Sequence, residues 1–275
     1  MTTPNLSDAI GEFLLARRAD GLANSTLVVY ESLLSTCLRN VGDQPVSAIT
    51  TSALRRYIVA LRDSDYAPDT IFAQIPVLHL LFTWARDEYQ MENPMRNISY
   101  PKQPNAKLPR RAQDSDIIKL LGACGDDKQG RRDKAIIAFL TDTGCRAAGL
   151  VGLTLDNLDL DHRRAYVREK GSKTRAVFFS EQAADYLRSW MEVHGGSVEF
   201  VFYNLHLREP LTTNGLLQVL RRLAKKAQVE GPVNPHAFRH RFGVQWMLSG
   251  GDSGVLQQMM GHSDVETTIN RYGQF

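Results

Sequence analysis

A basic, proline-rich stretch at residues 93–112 (NPMRNISYPKQPNAKLPRRA) does most to limit how this chain can fold. It carries four prolines and no sustained apolar periodicity. Proline fixes φ and removes a backbone donor, so neither a helix nor a central strand runs through such a stretch. The 275 residues therefore divide into residues 1–95, a linker over 96–112, and residues 113–275. Each flanking part is long enough to bury a core of its own. Hydrophobic residues make up 43% and charged residues 23%, the balance of a soluble globular protein.

The N-terminal part reads as an all-α bundle of about four helices. Asn5 or Ser7 can cap the first, which carries Ile10, Phe13, Leu14 and Arg17 and can end at Gly21. Asn24 opens a second, with Leu27, Tyr30, Leu33, Leu34 and Leu38 at helical spacing. Thr50 or Thr51 starts a third, and a fourth runs from about Pro68 through Ala85, with Pro76 kinking it or marking its first turn. The C-terminal part reads as mixed α/β and mainly helical. Helices are expected near 114–124, 131–143, 181–193, 212–228, 235–249, 252–260 and 264–271. Short strands are expected at 153–160, 164–169 and 174–180, the last two joined by a turn at Lys170-Gly171-Ser172-Lys173.

Charge excludes little on its own, because 33 Lys and Arg against 30 Asp and Glu leave a net charge of only +3. Its distribution says more. The linker's Arg96, Lys102, Lys107, Arg110 and Arg111 suit a phosphate backbone, or equally a solvated tether. Arg221, Arg222, Lys225 and Lys226 in RRLAKK place four cations on one helix, facing phosphate or solvent. Cys37, Cys124 and Cys145 have neither metal-ligand nor CxxC spacing, which fits a reducing cytoplasm. No secretory leader is expected from MTTPNLSDAIGEF. No apolar run approaches the roughly 20 residues of a membrane span.

Five pieces of the C-terminal part carry chemistry. Arg146 lies in TGCRAAGL, and Lys170, Lys173 and Arg175 lie in the turn EKGSKTR. His236 and Arg239 share a helix face in NPHAFRHRFG; His262 follows Gly261 in MMGHSD; Tyr272 lies in NRYGQF. His236 and His240 also stand at zinc-ligand spacing, but Ala237 occupies the place of the glutamate in HExxH, so no metal is expected. Taken singly, each piece has an ordinary structural explanation. In order they supply what metal-free attack on a phosphodiester requires. Two arginines neutralise the non-bridging oxygens, and a tyrosine is the nucleophile. A lysine protonates the leaving hydroxyl, and histidines handle protons near neutral pH.

The same boxes resemble the tyrosine recombinases, or phage-integrase family, as in phage integrases and Xer-type recombinases. TGCRAAGLVGL resembles the segment around the family's first catalytic arginine, EKGSKTR its hairpin lysine segment, and HAFRH its HxLRH. MMGHSDVETTINRYGQF resembles its LGHSxxxTTxxxY ending. NSTLVVYESLL and PDTIFAQIPVLHLLFTWARDEYQMENP resemble its DNA-clamping domain, so the likeness spans nearly the whole chain. The resemblance implies a SAM-like core-binding bundle and a catalytic domain with a small antiparallel sheet, closing as a C-shaped grip on duplex DNA. It implies that Arg146 and Arg239 clamp the scissile phosphate, Lys170 is the general acid with Lys173 its competitor, and His236 is acid/base or phosphate ligand. His262 would bond the phosphate, and Tyr272 would form a 3′-phosphotyrosyl link that needs no cofactor. It further implies four protomers on two DNA sites, in the cytoplasm with the nucleoid, for integration, excision or multimer resolution. Whether an accessory factor takes part is open at this point. A relaxing topoisomerase of the same chemistry and a DNA-binding protein without cleavage are the alternatives. Two departures stand out. Gly149 replaces the family's usual acidic residue three after the first arginine. Only Gly273, Gln274 and Phe275 follow Tyr272, so the subunits are expected either to link by another route than the longer C-terminal segment of many relatives, such as the tyrosine helix, or to associate weakly.

Overall fold

Helices dominate the computed structural model, which describes residues 3–64, 66, 68–100, 110–168 and 174–261, with residues 68 and 69 described in the backbone alone. The chain divides into two units, Met1–Ala106 and Lys107–Phe275.

In the first unit, α1 (Leu6–Ala19), α2 (Asn24–Val41), α3 (Thr51–Arg62) and α4 (Pro68–Tyr89) enclose one apolar core. Leu6, Ala9, Ile10 and Phe13 bury one face of α1 at the spacing the sequence suggests. Its cap comes from elsewhere: Asn5 makes no side-chain cap bond, and Asp43 instead accepts from the backbone N–H and the hydroxyl of Ser7. Thr50 caps α3 as expected, its hydroxyl accepting from the Ala53 N–H at 3.2 Å. Pro76 lies inside α4, beyond its first turn, between the buried Ile75 and Val77.

The basic stretch at 93–112 is anchored at both ends. Met95 is fully buried in the first core, and Ile98 packs against it. The carbonyls of Pro94 and Asn97 accept from Thr51 and Arg55, and His79 bonds the Ile98 carbonyl and stacks on Tyr100. At the far end Ala112 is buried in the second core and donates to the Ala237 carbonyl. Isolated apolar anchors hold these irregular segments, and a periodicity test does not register single anchors.

The second unit contains α5 (Asp114–Ala123), α6 (Lys128–Thr143), α7 (Ala147–Val151) and α8 (Glu181–His194). It continues with α9 (Thr213–Lys226), α10 (Pro235–Leu248) and α11 (Ser253–Met260). A three-stranded antiparallel sheet joins β1 (Leu158–Asp159), β2 (Arg164–Arg168) and β3 (Thr174–Phe178) in that order. The strand expected at 153–160 is mostly a 3-10 turn, Leu155–Asn157, with a two-residue strand after it. The expected turn at Lys170–Lys173 and the helix at 264–271 lie outside the described residues. Helix α6 is the central element: it packs against α8, α10 and β3 and buries Ile136, Ile137, Phe139 and Leu140. Each such side chain contributes ~1.5–3 kcal/mol through burial. That rigid centre fixes where α6 ends.

Candidate active site

Helix α6 ends in a turn that only glycine suits. Gly144 has φ +53°, and a Cβ there would lie 2.8 Å from Phe242 of α10. The chain then buries Cys145, and Arg146 becomes the N-cap residue of α7. Arg146 donates to the carbonyl of Gly261 at 3.0 Å.

Arg239 reaches the same place from α10, where only 4% of it is exposed. Asn234 starts that helix, its side chain accepting from the Ala237 N–H at 3.0 Å, with Pro235 in the first turn. One nitrogen of Arg239 donates to the Gly144 carbonyl at 2.9 Å, and another donates to the carbonyl of Met260. Met260 and Gly261 form the C-terminal end of α11, where Gly261 is left-handed at φ +59°. Carbonyls in a last turn have no partner within the helix, and that end of the dipole favours cations. Two arginines from distant segments thus donate to the carbonyls of successive residues. His262, next in sequence, lies outside the described residues, as do Lys170, Lys173 and Tyr272.

A third guanidinium adjoins them. Burial, and then the charge of Arg175, pull the Arg146 pKa down. Burial also lowers that of Arg175, with the Cys145 thiol opposing. Burial pushes the Cys145 thiol up, while a bond with Thr143 and the charges of Arg175 and Arg239 oppose it. The sequence reading set Arg175 at the tip of a hairpin. It stands instead within β3, paired with Val167. His236 is exposed in the first turn of α10. Gly149 is buried in α7, and a Cβ on it would lie 3.3 Å from the Val167 Cβ.

The outer cations differ in surroundings. Arg110, Arg221, Lys225 and Lys226 are exposed and Arg111 is half-buried, while Lys102 and Lys107 lie outside the described residues. Arg222 has an acidic partner within the fold. It pairs with Asp133, a carboxylate with 1% exposure, which also accepts two bonds from Arg132 at 2.8 and 3.1 Å. Arg132 donates as well to the Tyr203 carbonyl at 3.0 Å. A buried carboxylate on α6 therefore holds one of the four RRLAKK cations. Sequence reasoning missed this cluster, and also the buried His240 and the place of Cys145 beside the arginines. Arg132-Asp133 in the sequence looks like ordinary helix charge, so no signal marked it.

Among the described residues, no three or more His, Cys, Asp or Glu side chains are grouped to hold a metal ion. No described helix is long and apolar enough to cross a membrane.

Tyrosine recombinase XerD of Halalkalibacterium halodurans is 27% identical over 276 residues, covering 96% of this chain and 92% of that protein. XerD of Lacticaseibacillus casei is 30% identical over 258 residues, covering 90% and 87%. Among solved structures, the XerH recombinase bound to a palindromic difH substrate in a post-cleavage complex superposes with a TM-score of 0.80. It has 18% identity and covers 98% of this chain and 95% of that one, which shows a shared fold. The XerA recombinase matches at 25% identity with a TM-score of 0.54, covering 97% and 93%. The family model described as "Phage integrase family" matches residues 110–274, well over half of the chain. The chain belongs to the phage integrase family, the tyrosine recombinases.

Proposed function

We propose that this chain is a site-specific DNA recombinase that cuts and rejoins DNA through a 3′-phosphotyrosyl intermediate. The observation that carries this reading is the convergence of Arg146 and Arg239 on the carbonyls of Gly261 and Met260. A phosphate matches the fork geometry of guanidinium groups brought together in this way. XerC and XerD relatives and the DNA-bound neighbours support DNA as the substrate.

Each residue has a part in this reading. Arg146 and Arg239 hold the non-bridging oxygens and offset the charge that develops at phosphorus. Tyr272 attacks, and the phosphate stays on its phenolic oxygen. Lys170 protonates the departing 5′-hydroxyl, with Lys173 the competing donor. His236 serves as acid/base or phosphate ligand, and His262 bonds the phosphate. The strand then rejoins by the reverse reaction, with no ATP or metal. Residues 1–95 form the core-binding bundle and residues 113–275 the catalytic domain. Arg110, Arg111, Arg221, Lys225 and Lys226 contact backbone phosphates, as do Lys102 and Lys107. The working assembly is four protomers on two DNA sites.

A duplex nicked near the cleavage point tests this, because loss of the short product traps the covalent form. The target is first sought in the DNA flanking its own gene. The full chain should give a protein–DNA adduct that resists denaturant. Tyr272→Phe should give none while its DNA affinity stays nearly unchanged. An adduct from that variant would place the nucleophile elsewhere. Binding by the unaltered chain without any adduct would leave a DNA-binding protein, and relaxation of supercoils by isolated protomers would favour a topoisomerase.

A further inference from the structure

Arg175 occupies a place where a core residue belongs. In β3 the side chains alternate, and Val177, two residues on, is buried. Across the ladder, Arg175 pairs with Val167 and Val177 with Ala165, both of which are fully buried. Arg175 therefore lies on the inward face of the sheet. That face meets α7 at Val167, which a Cβ on Gly149 would approach to 3.3 Å, and β3 also packs against α11. Helices α7 and α11 carry the two ends of the Arg146–Gly261 bond. The charge of Arg175 acts on Arg146, and the charges of Arg175 and Arg239 both act on Cys145. A guanidinium so placed adds positive potential beside Arg146.

We propose that Arg175 is a positioning residue of the active site, setting the placement and charge of Arg146 toward the scissile phosphate. This rests on the recombinase reading above. Arg175 takes no proton and forms no bond with the leaving group. Its effect passes through Arg146 and through the potential of the three-arginine cluster.

The test compares two nicked substrates, one with an ordinary scissile phosphate and one with a methylphosphonate there. The methyl group removes the negative charge that the arginines offset. On the phosphate, Arg175→Gln should slow adduct formation about tenfold to a hundredfold, the scale of a lost electrostatic group. On the methylphosphonate, its deficit relative to the unaltered protein should shrink to within about threefold. Arg175→Lys, which keeps the charge, should recover part of the rate on phosphate. Each deficit is a ratio of rates on a common preparation, so comparing the two substrates cancels any loss of folded protein. Equal deficits on both substrates, or no deficit on phosphate, would overturn the proposal. Failure of the unaltered protein to form any adduct would instead sink the recombinase reading itself.

Discussion

Two arginine clusters lie in the same unit and are held by different kinds of acceptor. At one, Asp133 accepts from Arg132 and Arg222, so a carboxylate answers the cations within the fold. At the other, the bonds from Arg146 and Arg239 run to the carbonyls of Gly144, Met260 and Gly261. A carbonyl satisfies the N–H groups without cancelling the charge. The first arrangement ties α6 to α9 and to the loop at Tyr203. The second gathers guanidinium groups at the C-terminal end of α11. Burial of a charge is therefore a poor guide to its purpose, and the nature of its partner is a better one.

The largest effects should separate the clusters along different axes. Arg146→Ala and Arg239→Ala are each expected to slow adduct formation by about 10² or more, as loss of a transition-state donor does. Single-turnover cleavage of the nicked substrate measures this. A loss of less than tenfold at both positions would break the contrast, since the carbonyl-held arginines would then serve the fold alone. Asp133→Ala should act on stability. Removing the acid leaves Arg132 buried without its charge partner, a loss of about 3–5 kcal/mol, read from denaturant unfolding. The fraction that remains folded should still form adduct at a near-normal rate. A cleavage defect in that folded fraction would show that the two clusters are coupled through α6.

The sequence made one side of this contrast legible and hid the other. Arg146, His236 and Arg239 stand in short motifs whose spacing survives folding, and Gly144 and Gly261 mark helix ends by their residue type alone. The four N-terminal helices followed from apolar periodicity and from Thr50 as a cap. Residues 93–100 and 112 were harder, because Met95, Ile98 and Ala112 anchor irregular backbone one side chain at a time. The pairing of Asp133 with Arg222 joins residues 89 apart, and nothing local to either announces it. Arg175 was seen as a cation but misplaced. Its inward direction depends on the strand register with Val167, which residue type does not reveal.

The smallest expected effect divides the RRLAKK helix itself. Arg222, Arg221 and Lys225 look alike in sequence, yet only Arg222 is bound to a buried acid. Each phosphate contact that releases counterions adds about 0.9 to the slope of log affinity against log salt. Arg221→Ala and Lys225→Ala should each lower that slope by about one and weaken binding across DNA sequences alike. Arg222→Ala should leave the slope unchanged. Because Arg222 is 44% exposed, solvent screens its pair with Asp133, and its loss should cost about 1 kcal/mol or less in unfolding experiments. DNA titrations at several salt concentrations distinguish the three variants. A lowered slope for Arg222→Ala would mean that Asp133 orients this arginine toward phosphate and does not hold it back.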